Sequence, residues 1–155
     1  MVCLGNICRS PMAAAVLATR VRGIEGKEIL VTSSGTSSWH VGDGPNPPSR
    51  RVWERAGYRY DHVASQTTPD RIERADLVLV MDSSNHSNVL ALAGSVQQSK
   101  VFYLRAFDLH DDELEVPDPY GFGDDAFERV LEMVERSVDG LLIALGVASP
   151  SDTSR

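Results

Sequence analysis

Residues 2–11 read VCLGNICRSP and hold both cysteines of the chain, Cys3 and Cys8, with Arg9 directly after the second. Cys3 and Arg9 stand in a C-x5-R spacing. A thiolate is a nucleophile, and an arginine fork grips two oxygens of a phosphate in a way lysine does not reproduce. Where such a loop joins a strand to a helix, successive backbone N–H groups converge at the positive end of the helix and bind an oxyanion. Gly5 permits positive φ and close approach of a ligand. Asn6 is the next best residue for the left-handed region. The Ser10 hydroxyl can donate to the sulfur of Cys3. A field that favours a bound anion also favours a thiolate, so the chemistry is phosphoryl transfer through a cysteinyl-phosphate. The run lacks the Gly-Lys-Ser/Thr of the nucleotide P-loop. A bare C-x5-R arises easily by chance, and cysteine is also a common small core residue. The flanking elements therefore decide.

Those elements alternate. EILVTSSG (28–35), ADLVLVMD (75–82) and KVFYL (100–104) read as strands, and VC (2–3) as the end of another. Leu77 to Met81 is an unbroken apolar run, as in a strand buried on both faces. SPMAAAVLATRVR (10–22) reads as a helix with Ser10 as cap and Pro11 at its first position. PSRRVWERAG (48–57) stops on Gly57, and SSNHSNVLALAG (83–94) on Gly94. In the last helix Phe127, Val130, Leu131, Val134, Val138, Leu141, Leu142 and Leu145 share one face at helical spacing. Glu132 and Arg136 are spaced to pair on its outer face. Alternating strands and helices predict an α/β fold with a parallel sheet covered on both sides. Ligands then bind at the carboxyl ends of the strands, where VCLGNICRSP sits.

Bulk properties narrow the function. The 155 residues fit one domain, and a formal charge of −7 argues against nucleic acid or an anionic membrane as partner. No apolar run reaches the roughly 20 residues of a membrane span, and no signal peptide is visible. A Cys3–Cys8 bridge would close a very short loop, so a disulfide scaffold is not expected. Two thiols and four scattered histidines do not make a zinc site, and no metal or other cofactor is expected. The expectation is a cytoplasmic, reduced, monomeric protein. The tail VASPSDTSR (147–155) is small and polar and is expected to fray.

VCLGNICRSPMAAAV resembles the signature of the low-molecular-weight protein tyrosine phosphatases, and four further stretches agree in order: SSGTSSWHVGDGPNP (33–47), DHVASQ (61–66), DLVLVMDSSN (76–85) and VPDPYGFGDDAFERV (116–130). The resemblance covers nearly the whole chain and places the domain at 1–146. It implies a single-domain three-layer sandwich around a four-stranded parallel sheet, with the phosphate-binding loop, Leu4 to Ser10, after the first strand. It also implies Cys3 as nucleophile, Arg9 as phosphate binder and Asp118, stiffened between Pro117 and Pro119, as general acid and then base. Without the family, an aspartate in such a loop reads as a turn residue. Leu4, Trp39 and Tyr120 become walls of the substrate pocket, and Ile7 its floor or rim. Asn6, Ser10 and His62 become supports of the loop. Asp82 secures a neighbouring loop or caps a helix, as does Asn85. Cys8 is a packing residue or, as the family favours, the redox partner of Cys3. The substrates implied are phosphotyrosine proteins or peptides, with inorganic phosphate as product.

The chain departs from that pattern in three places. Only Met1 and Val2 precede Cys3 where the family has an apolar strand, so the expectation is a start upstream of Met1 or a trimmed chain. Gly121 stands where many members have a second tyrosine. Ser65 stands where a basic residue is common. Three other activities compete. Arsenate reduction on this fold needs further cysteines. The protein arginine phosphatases carry threonine where this chain has Ile7, and bulky Ile7 favours an aryl phosphate. A phosphate-binding module without catalysis is set against the intact trio of Cys3, Arg9 and Asp118.

Overall fold

A computed structural model describes residues 1–148. Four short parallel strands form one sheet: β1 (Val2–Cys3), β2 (Ser34–Gly35), β3 (Val78–Val80) and β4 (Val101–Tyr103), in the order β2-β1-β3-β4. Around them lie α1 (Arg9–Arg20), α2 (Pro47–Arg55), α3 (Pro69–Arg74), α4 (Ser83–Leu92) and α5 (Asp124–Ala144). This is the α/β sandwich expected. Only part of the expected tail, Val147 and Ala148, falls within the described residues.

The apolar run of β3 divides its side chains between two cores. Leu79 and Met81 join Cys3, Met12, Val16, Trp53 and the inner face of α5. Val78 and Val80 join Val2, Ile72, Val89 and Val101. A sheet covered on both sides needs apolar residues at odd and even positions alike, which is why the run shows no alternation. β1 is central, with Val2 and Cys3 paired to Ser34 and Gly35 on one side and Val2 to Val80 on the other. The strand order turns at β1, so the loop after Cys3 opens at a topological switch point.

Several local expectations need correction. Of 28–35 only Ser34–Gly35 pairs as a strand. The first helix begins at Arg9, with Cys8 as its cap residue and no side-chain capping bond. Ser10 is therefore no cap; it lies inside the first turn with its hydroxyl turned to the Cys3 sulfur. Pro11, also in that first turn, lies two residues after the first helical position. Asp82 caps α4, one of the two roles expected of it, its carboxylate accepting from Asn85 N–H. Arg136 reaches Asp108, at 3.0 Å, rather than Glu132. Leu145 ends up partly exposed just past α5. Gly140, not counted in the apolar face, is what brings α5 close to the sheet's end: a Cβ there would lie 1.8 Å from the Phe107 carbonyl oxygen. The helix α3 carried no periodic signal, being six residues long.

Candidate active site

The loop from Cys3 to Arg9 wraps a small pocket of about 160 Å³. The loop contributes Cys3, Leu4, Gly5, Ile7, Cys8 and Arg9 to its lining, and other segments contribute Trp39, His40, Asp118 and Tyr120. A larger groove of about 960 Å³ lies elsewhere, beside Met1, Val2 and the segment before β2, among mostly apolar groups such as Leu17, Ile72 and Leu141. Its lining includes neither cysteine, nor Arg9, nor Asp118. The chemistry belongs to the smaller pocket.

Cys3 Sγ lies 3.0 Å from Ser10 Oγ and 3.3 Å from Asn6 N, whose N–H donates to it. A backbone N–H and a hydroxyl thus both face this one sulfur within hydrogen-bond range. The start of α1 adds its dipole from the same side. Asn6 is wholly buried and is the one non-glycine residue with positive φ, 56°, among the described residues. Its backbone turn aims its own N–H at the sulfur. Its side chain fixes that turn: Nδ2 donates to Ser10 Oγ at 2.8 Å and to Ser33 Oγ at 2.9 Å, and Oδ1 accepts from Ser65 N at 2.9 Å. His62 Nε2 donates to the Asn6 carbonyl oxygen at 2.6 Å. Burial pushes the His62 pKa down, against the opposing effect of that bond, so the ring stays neutral.

Gly5 does not have the positive φ expected of it, although it lines the pocket. The left-handed residue is Asn6, while a Cβ on Gly5 would stand 3.0 Å from His40 Cδ2. Glycine here allows close packing of the His40 loop. Gly35 matters in the same way and was missed. A Cβ there would meet the Leu4 carbonyl oxygen at 2.7 Å and Asn6 N at 3.0 Å, so β2 presses directly on the cradle.

Arg9 is almost fully buried and divided in function. Nη1 donates to Asp82 Oδ2 at 2.7 Å and to the Val116 carbonyl at 3.0 Å. Among the described residues Nε and Nη2 make no protein hydrogen bond, and Nη2 stands 3.6 Å from Asp118 Oδ2. One edge of the fork is anchored and the other is free for two oxygens of a bound oxyanion. Asp82 thus both caps α4 and holds Arg9. Asp118 has a side chain 45% exposed, and its Oδ1 accepts from Tyr120 N at 3.2 Å. Trp39 and Tyr120 flank the mouth and are 75% and 57% exposed. Cys8 is buried behind the loop, and burial together with the Cys3 charge pushes its pKa up to about 12.

Two further supports came from residues with no motif. Arg71 of α3 donates to Ser65 Oγ and, at 3.3 Å, to the Ser33 carbonyl, bracing two of the partners of Asn6 from outside. Arg105 holds the segment leading to Asp118. Sequence spacing could not mark either, since each acts on a segment it meets only in the fold.

A family model described as low molecular weight phosphotyrosine protein phosphatase matches residues 1–149. The chain belongs to that family. It is 42% identical to a low molecular weight protein-tyrosine-phosphatase of Streptomyces coelicolor, over 93% of this chain and 90% of the relative. It is 40% identical to low molecular weight protein-tyrosine phosphatase A of Mycobacterium tuberculosis, over 90% and 86%. Among solved structures, a protein tyrosine phosphatase of Entamoeba histolytica with Hepes in its active site superposes with a TM-score of 0.89 at 32% identity, covering 94% of each chain. No helix among the described residues is long and apolar enough to cross a membrane.

Proposed function

We propose that this phosphatase hydrolyses phosphotyrosine in proteins or peptides through a phosphoenzyme formed on Cys3. What supports the reading is the convergence of four groups on one small pocket: a sulfur facing two donors, an arginine with a free edge, an exposed carboxyl group, and two aromatic side chains at the mouth. The dianion binds the loop N–H groups and the free edge of Arg9. Cys3 Sγ attacks phosphorus, the bond from phosphorus to the phenolic oxygen breaks, and Asp118 gives its proton to that oxygen. A water then attacks phosphorus, gives its proton to Asp118, and the sulfur–phosphorus bond breaks to release inorganic phosphate. The loop and Arg9 stabilise the equatorial oxygens in both steps.

Trp39 and Tyr120 are the faces that hold an aromatic ring, while Leu4 and Ile7 keep the pocket narrow and apolar. Those features favour phosphotyrosine over phosphoarginine. Cys8 is the residue that condenses with a Cys3 sulfenic acid, forming a disulfide and releasing water. Its raised pKa keeps it a thiol during turnover.

Turnover of p-nitrophenyl phosphate, phosphotyrosine peptide and phosphoarginine peptide by the wild type and Cys3→Ser tests the reading. Turnover of the first two, lost in Cys3→Ser, is expected. A folded wild type that binds phosphate but turns over none of the three would make the site a binding module, and preference for phosphoarginine would overturn the substrate.

A further inference from the structure

Asp118 sits on a segment with almost no regular structure. From Asp108 to Asp118 the chain makes no helix or strand, and its only backbone hydrogen bond to the sheet region is Val116 N to the Met81 carbonyl, at 2.7 Å. A proton donor must be held within hydrogen-bond reach of its acceptor, about 2.6–3.2 Å, and a misplacement of about 1 Å is costly. Prolines at 117 and 119 stiffen the approach but do not fix where the segment lies.

Arg105, in the 3₁₀ turn after β4, is placed to do that. It is 4% exposed. Nη1 donates to the Glu115 carbonyl at 2.8 Å, and Nη2 pairs with Asp111. Glu115 continues the chain of contacts: its Oε1 accepts from Ser83 N at 2.8 Å, at the start of α4, beside the Asp82 that holds Arg9. Val116, the next residue, accepts from Arg9 itself. The carboxyl-bearing segment and the phosphate-binding arginine are therefore joined through one strip of chain, three residues before Asp118.

A buried guanidinium is a costly way to fill space. Arg105 Nε is buried without a hydrogen-bond partner among the described residues, so an apolar side chain would serve packing better. We propose that Arg105 is a positioning residue for the proton donor: it fixes Glu115 and thereby sets the reach of Asp118 to the leaving oxygen. The inference rests on the reading of Asp118 as general acid.

The test is kcat/KM of the full chain on aryl phosphates of graded leaving-group pKa, from p-nitrophenyl to phenyl phosphate. This ratio reports the first chemical step. Asp118→Asn serves as reference, with Arg105→Met, Arg105→Lys and Asp111→Asn as probes. Asp118→Asn should lose about a hundredfold on phenyl phosphate and far less on p-nitrophenyl phosphate, whose leaving group needs little help. Arg105→Met should lose about tenfold on phenyl phosphate and less than about twofold on p-nitrophenyl phosphate, with Arg105→Lys in between because it keeps the charge and loses the fork. Asp111→Asn loosens Arg105 from the surface and should steepen the dependence in the same sense. It decides the matter if Arg105→Met does not fold. Wild-type dependence in both Arg105→Met and Asp111→Asn, beside a steep Asp118→Asn, overturns the role of Arg105 and leaves that of Asp118 intact. Wild-type dependence in Asp118→Asn overturns the reading of Asp118 and this inference with it.

Discussion

Around Cys3, Asn6 spends both amide hydrogens and its carbonyl oxygen within the cradle, and Ser10, Ser33, Ser65 and His62 answer it at 2.6 to 2.9 Å. Around Asp118 the carboxylate accepts from one backbone N–H and leans toward one arginine, on a segment tied down by Arg9, Arg105 and Arg136. The first region is a closed network that gathers Ser33, His62 and Ser65 from distant parts of the chain onto Asn6, beside its near neighbour Ser10. The second is an exposed loop hung from cations of three other elements. The difference follows from their tasks. An anion cradle must present several N–H groups at once and gains from being rigid before substrate arrives. A proton donor must meet a leaving group that enters from solvent, so it stays at the rim and its placement is borrowed.

Breaking the cradle should therefore cost more than loosening its supports. Cys3→Ser removes the nucleophile and should lower kcat by at least about a thousandfold with p-nitrophenyl phosphate. Arg9→Lys keeps a charge but cannot hold Asp82, Val116 and two phosphate oxygens together. It should cost about a hundredfold in kcat/KM and weaken inhibition by inorganic phosphate. Asn6→Ala leaves the hydrogen-bonding groups of Ser10, Ser33 and Ser65 without their partner. Thermal or urea unfolding should show a loss of about 1–3 kcal/mol, with activity falling about tenfold; an unchanged midpoint would mean the network is not what holds the turn.

The smallest effect concerns His62. Its pKa is lower in the fold than in the unfolded chain, so on acidification the unfolded state takes up the proton first. The neutral ring's contribution is complete above the ordinary imidazole range and is lost as the pH falls through that range toward the folded value. Unfolding midpoints measured through mildly acidic pH should fall more steeply in the wild type than in His62→Gln. Parallel curves would show that His62 does not titrate with folding.

What was legible in the sequence divides along the same line. The cradle lies within eight consecutive residues, so type and spacing expose Cys3, Asn6, Arg9 and Ser10 together. The strand β3 and helix α5 announce themselves by apolar content and helical period. Ser33, Gly35, Ser65, Arg71 and Arg105 do not, because each has meaning only through a backbone that reaches it from another part of the chain. The positive φ that a glycine in a turn suggests falls at Asn6 and not at Gly5 for a related reason: whether a glycine turns the chain or makes room depends on a distant side chain, here His40. Ser10 was misread as a cap because a serine before proline fits that role locally, whereas the nearby sulfur claims its hydroxyl.

The central claim is that phosphate passes through the Cys3 sulfur. Rapid acid quench of the wild type during turnover of p-nitrophenyl phosphate, followed by mass spectrometry of the amino-terminal peptide, tests it most directly. The account predicts a phosphoryl adduct, a gain of about 80 Da, on Cys3 and none on Cys8. An adduct on another residue, or turnover that survives Cys3→Ser, would contradict it.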